Sequence, residues 1–146
     1  MGDPDAYRFP EPKVPELNFS FSGLKTAILY FVRDETKKNQ NFVKENLNDI
    51  CASVQKRIAS ILINKLVKAS EKTSITEIAI AGGVSANSGL RKSLDEIGKE
   101  RSWNTYIPKF EYCTDNAAMI AIVGYYKYLK NEFAEQDISP VARYRL

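Results

Sequence analysis

The segment from Ile75 to Ile107 constrains this chain most. Ile75 to Ala81 (Ile-Thr-Glu-Ile-Ala-Ile-Ala) is a β-branched run of strand length that stops at Gly82-Gly83. Ser88 to Glu100 then takes helical spacing through Leu90, Leu94 and Ile97, and Trp103 to Ile107 is a second strand closed by Pro108. Asn116 to Asn131 reads as another helix, rich in alanine and aromatics, with a polar tail after it. Strand, helix, strand and helix with short connections imply an α/β unit and a parallel sheet. The loops leaving the strands of such a unit gather at one sheet edge, where ligands bind.

The chain ahead of this unit is less regular at first. Pro4, Pro10, Pro12 and Pro15 mark residues 1–16 as an extended opening segment, and 17–146 is expected to form one lobe. Phe19-Ser20-Phe21-Ser22 alternates apolar and polar residues, as a short half-buried strand ended by Gly23 would. Leu24 to Arg33 reads as a helix with Leu24, Ala27, Ile28 and Phe31 on one face, and Asp34 to Asn41 as a charged loop. Phe42 to Ser70 carries the strongest helical period, through Leu47, Ile50, Val54, Ile58, Ile61, Leu62, Leu66 and Ala69. Lys56, Arg57, Lys65 and Lys68 lie off that stripe and form either a solvated face or an RNA-binding one.

At 146 residues the chain fits one domain, and 44% apolar with 27% charged residues is ordinary for a globular protein. No apolar run approaches the roughly 18 residues of a membrane span, so a cytoplasmic protein without membrane contact is expected. Cys51 and Cys113 lack metal spacing and read as reduced thiols. A net charge of +3 permits RNA contact without indicating it. The absence of any histidine excludes a Ser-His-Asp triad, a Cys-His pair and an HExxH zinc site within this chain.

Two loops leave the strands. In Gly82-Gly83-Val84-Ser85-Ala86-Asn87 the glycines let a nucleotide approach the backbone, while Ser85, Asn87 and the first helix amides offer donors. The structural alternative is a tight turn with Ser85 or Asn87 as helix cap. The second loop ends Cys113-Thr114-Asp115-Asn116 before a helix. Asp115 can ligate a metal, oriented by Thr114 or Asn116, or Thr114 or Asp115 can simply cap that helix.

Three stretches together carry a resemblance. Phe19-Ser20-Phe21-Ser22-Gly23-Leu24-Lys25-Thr26, Ala81-Gly82-Gly83-Val84-Ser85-Ala86-Asn87 and Cys113-Thr114-Asp115-Asn116-Ala117-Ala118-Met119-Ile120-Ala121 resemble successive motifs of the TsaD/Gcp family, in the family's order. The resemblance implies part of an actin-like ATPase lobe, of the sugar kinase and Hsp70 superfamily, with a mixed or parallel sheet and flanking helices. It also implies a transferase that moves threonylcarbamoyl from its adenylate to N6 of an adenosine in tRNAs reading ANN codons.

Carried over by residue, Asp115 matches a carboxylate metal ligand, Asn87 an asparagine that contacts the adenylate, and Gly82 and Gly83 glycines near the nucleotide. Ser22 and Lys25 fall in a motif near the cleft without an assigned role, and Cys113 reads as a buried thiol. The family binds one iron or zinc ion through two histidines of an HxxxH helix, which this chain lacks. The resemblance therefore implies a C-terminal fragment, inactive alone, with Met1 as an expression start on a shortened reading frame. A homologous partner subunit and an ATPase are the implied bacterial partners, held largely by the other part of the protein. A metalloendopeptidase (glycoprotease) fragment and a non-enzymatic RNA- or protein-binding module are the alternatives. Met119, Ile120, Ile122, Val123, Tyr125, Tyr126 and Leu129 exceed what one small sheet covers, so self-association through a sheet edge or this helix is expected.

Overall fold

A computed structural model describes residues 2–139 and 141. Met1 and the last part of the expected lobe, Pro140 and 142–146, lie outside the described residues. The described residues form four α-helices and two strands: α1 (Ser22–Lys38), α2 (Phe42–Thr73), β1 (Glu77–Ala79), α3 (Ser88–Glu100), β2 (Asn104–Tyr106) and α4 (Ala117–Leu129). The result is an α-rich chain with a small sheet. Among the described residues no helix is long and apolar enough to cross a membrane.

The two strands pair in parallel, with Glu77 opposite Asn104, Ile78 opposite Thr105 and Ala79 opposite Tyr106. α3 connects them, as the sequence pattern requires. Ile78 points inward between exposed neighbours and meets Leu94 of α3 and Trp103 beside β2. Ile63, Leu66 and Val67 of α2 pack on the same cluster, so the second half of α2 covers this unit. Ser70 Oγ donates to the Ile75 carbonyl at 2.6 Å, which fastens the end of α2 to the approach to β1.

The first part of α2 packs instead against α1 and the opening segment. Phe9, Leu24 and Ile61 are buried there, with Tyr7, Ile28, Phe31 and Val54 against them. Tyr7, Phe9, Phe31 and Phe42 meet at ring separations of 4.9 to 5.9 Å, mostly edge to face, the geometry favoured by the ring quadrupole. Residues 2–21 contain no helix or strand, yet Phe9 makes them part of the core.

Two local expectations give way. Phe19–Ser22 is not a strand: Ser22 opens α1, the Lys25 N–H donates to the Phe21 carbonyl at 2.9 Å, and Gly23 lies within the helix. Among the described residues β1 and β2 pair only with each other, and Phe19–Phe21 joins neither free edge; from Ser22 on, the helix satisfies the backbone instead. Asp34–Lys38 is not a loop but the last turn of α1. Asp34 pairs with Arg33 and Lys37, Glu35 pairs with Lys38, and Lys37 and Lys38 sit favourably at the negative end of the helix.

The basic face of α2 is occupied by the chain's own opening segment. Lys56 pairs with Asp5 at 2.5 Å, Arg57 with Glu11 at 3.5 Å, and Lys72 with Glu16 at 3.2 Å. Lys65 Nζ donates to the carbonyls of Val14 and Glu16 at 2.9 and 2.5 Å. Each exposed pair contributes at most about 1 kcal/mol, so they choose where the segment lies more than they hold it.

Candidate functional site

β1 runs out into Gly82, whose φ of 77° and ψ of 176° place it in a region that suits glycine alone. A single 3-10 turn, Gly83–Ala86, follows and leads directly into α3. Ser85 is buried, and its N–H and hydroxyl both donate to the Gly82 carbonyl, at 2.9 and 2.7 Å. Its side chain is thus committed to shaping the turn. Asn87 is the cap of α3: its Oδ1 accepts from the Leu90 N–H at 2.9 Å. Its Nδ2 lies 3.5 Å from Gln55 Oε1, a contact at the limit of hydrogen bonding.

The second loop leaves β2 through Pro108 and makes a 3-10 turn at Phe110–Tyr112. Cys113 follows, only 2% exposed, with its thiol donating to the Lys109 carbonyl at 3.4 Å; Cys51 is exposed, and both thiols are free. The cap of α4 is neither Thr114 nor Asp115 but Asn116. Its Oδ1 accepts from the Met119 N–H at 3.1 Å, and its Nδ2 donates to the Thr114 carbonyl at 2.8 Å. Asn116 therefore leaves the Asp115 carboxylate exposed rather than spent on the helix.

The two loops face each other across an open pocket of about 410 Å³. Ala81, Gly82 and Gly83 line one side, Tyr112, Cys113, Thr114 and Asp115 the other, and Met119 of α4 the edge. The structure thus joins Gly82, Gly83 and Asp115. Ser85 and Asn87 do not line that pocket; Asn87 lines a separate apolar groove of about 310 Å³ with Gln55, Val84 and residues of α2. Ser22 and Lys25 are exposed at the start of α1, and Lys25 shares a third groove with Val84, which brings the first motif beside the second. Among the described residues no three Cys, Asp or Glu side chains are grouped to hold a metal ion, and the chain has no histidine.

Sequence reasoning passed over Arg91. From α3 its Nε donates to the Ser85 carbonyl at 2.6 Å, and its Nη2 donates to the Pro108 carbonyl at 2.5 Å and to Cys113 Sγ at 3.1 Å. Its guanidinium also lies 4.0 Å from the Phe110 ring centroid. One side chain therefore ties together the two loops that line the pocket. A signal existed: a cation near the positive end of a helix is electrostatically misplaced unless something else holds it there.

Comparison with known proteins covers most of this ground. The family model for TsaD, tRNA N6-adenosine threonylcarbamoyltransferase, matches residues 1–122. The tRNA N6-adenosine threonylcarbamoyltransferase of Christiangramia forsetii is 58% identical over 144 residues, which cover 99% of this chain and 42% of the relative. Its counterpart from Riemerella anatipestifer is 55% identical over 145 residues, 99% of this chain and 42% of the relative. That of Cytophaga hutchinsonii is 51% identical over 146 residues, 100% of this chain and 43% of the relative. The chain thus spans about two fifths of the length of these relatives. With the family's three motifs on adjoining loops and a helix start, and its model matched over residues 1–122, the chain belongs to the TsaD family.

Proposed function

We propose that this chain is the C-terminal part of a tRNA N6-adenosine threonylcarbamoyltransferase. It forms part of an actin-like ATPase lobe and carries part of the adenylate site. The whole enzyme, cytoplasmic and acting with a homologous subunit and an ATPase, transfers threonylcarbamoyl from its adenylate to the adenosine amine of ANN-reading tRNAs. The observation that carries this reading is the pocket in which Gly82, at φ 77°, faces Asp115. A backbone free of side chains on one wall admits a flat or phosphorylated ligand, and the opposite wall offers a carboxylate.

In this reading Gly82 and Gly83 pass close to the nucleotide and Ser85 holds their turn. Asn87 reaches the adenylate through the Nδ2 that capping leaves available. Its place outside the pocket means that the adenylate extends past Val84 toward α2. Asp115 is one ligand of an iron or zinc ion. Among the described residues no carboxylates or thiols are grouped to hold a metal ion, and the chain has no histidine, so in this reading the histidine ligands come from the other three fifths of the relatives' length. The work of this lobe is to hold the adenylate in register with the incoming amine and to keep water from the activated carbamoyl group.

The test is formation of threonylcarbamoyladenosine on an ANN-reading tRNA from supplied threonylcarbamoyl-adenylate. A protein of the relatives' full length containing this segment should form it, and the 146-residue chain should not. Gly82→Val in the long form should abolish the activity, because a branched side chain cannot take that φ without strain. An inactive long form, or an undiminished Gly82→Val variant, overturns the proposal.

A further inference from the structure

We infer that Arg91 is the positioning residue that sets the width of the pocket between Gly82-Gly83 and Tyr112–Asp115. This rests on the proposed nucleotide reading only for the ligand; the clamp itself stands on geometry. Arg91 does not itself line the pocket, though it touches Cys113, which does. It reaches the Ser85 carbonyl in the turn that follows Gly82, and the Pro108 carbonyl and Cys113 Sγ in the loop that carries Asp115.

Those acceptors belong to two loops with no strand pairing between them beyond the Ile80 N–H donating to the Tyr106 carbonyl at 3.1 Å. Their spacing is therefore set by whatever bridges them. A guanidinium is suited to this: it is planar, always charged, and presents donors in a rigid fork. Its face is covered by Phe110, which restrains it from swinging out to solvent. An ammonium is a point charge and can satisfy one loop well but not both at once. Removing the guanidinium leaves the Ser85 and Pro108 carbonyls unpaired and frees the second loop, Cys113 included, to move from the first. The adenine nucleotide then meets a pocket whose walls no longer hold one separation.

Cys113 reports on this directly, because it is buried at the joint while Cys51 is exposed elsewhere. The experiment uses the chain with Cys51→Ser, so that Cys113 is the single thiol, and compares arginine, Arg91→Lys and Arg91→Met at position 91. Native-state labelling of Cys113 by a disulfide reagent is set against global stability, measured by urea unfolding of the single tryptophan, Trp103. In Arg91→Met, labelling should be about tenfold or more faster than the loss of global stability accounts for, which marks local opening. Arg91→Lys should fall between. Millimolar AMP should shift the amide resonances of Gly82, Gly83, Thr114 and Asp115 in the arginine form, and shift them less in Arg91→Met.

Labelling that only tracks global unfolding overturns the clamp, and an undiminished AMP response in Arg91→Met overturns its role in positioning. If AMP shifts no amide even in the arginine form, this segment does not hold the nucleotide without the rest of the site, and labelling alone upholds or overturns the clamp. Should Arg91→Met not fold, the same comparison on Arg91→Lys decides.

Discussion

Gly98 of α3 lies so close to Thr105 of β2 that a β-carbon on the glycine would stand 2.5 Å from the threonine methyl carbon. The absence of a side chain at Gly98 lets α3 settle onto β2 and bury Leu94 between them, at the heart of the cluster behind the pocket. Gly98→Ala gains up to about 1 kcal/mol of helix propensity but forces the methyl or the helix to move, at a cost of about 1–3 kcal/mol. The expected net effect is destabilisation. Gly98→Ala with Thr105→Ser, which removes the obstructing methyl, should recover the loss and reveal the propensity gain. Urea unfolding followed by Trp103 fluorescence completes the double-mutant cycle, and additive effects would contradict the contact.

Asn87 has two roles that one substitution confounds. Asn87→Ala removes the cap of α3 and should cost about 1 kcal/mol of stability. Asn87→Ser keeps a capping oxygen but lacks the amide donor, so stability should be largely preserved. In the full-length enzyme both variants should lose about 1–2 kcal/mol of adenylate affinity, the scale of one polar contact. Unchanged affinity in Asn87→Ser would leave Asn87 as a cap and nothing more.

Glu77 and Tyr106 give the small sheet a pH window. The Tyr106 hydroxyl donates to Glu77 Oε2 at 2.6 Å, and this bond, then that from Asn104, holds the Glu77 carboxyl below its ordinary 4.5. The same bond to Glu77 raises the Tyr106 hydroxyl above its ordinary 10.0. A lowered carboxyl adds stability that is present above its unfolded value and is lost as pH falls through the folded one. A raised phenol adds stability below its unfolded value that is lost as pH rises through the folded one. Tyr106→Phe should therefore lower the melting temperature slightly at neutral pH and not at the acid end, where the wild type has already lost the interaction. An equal deficit at every pH would show that the hydroxyl contributes packing alone.

α4 is apolar and uncovered: none of its residues is buried, and Ile120 is 76% exposed. The expected consequence is self-association of the isolated chain through this helix or a sheet edge. Light scattering over a dilution series should show mass falling toward the monomer, and Ile120→Glu should shift that fall to higher concentration. A constant monomer mass at high concentration would contradict it.

From Ile75 onward the order of strands and helices, the limits of α3 and the existence of both candidate loops follow from the sequence alone. Periodicity, β-branching and glycine placement are local properties, and each acts within a few residues. The fate of Phe19–Ser22 was not local, because alternation makes a strand only where the chain is brought alongside a sheet edge, and this stretch pairs with neither β1 nor β2. Asp34–Lys38 shows a related limit: a charged run reads alike in a loop and on a solvated helix face, and only its pairings distinguish them. The basic residues of α2 meet partners roughly fifty positions earlier in the chain, which no window reading can see. Tertiary structure alone placed Asp115 opposite Gly82 while leaving Asn87 outside that pocket. It alone set Arg91 between the loops, because a guanidinium that serves acceptors on two separate segments has a role only once those segments have met.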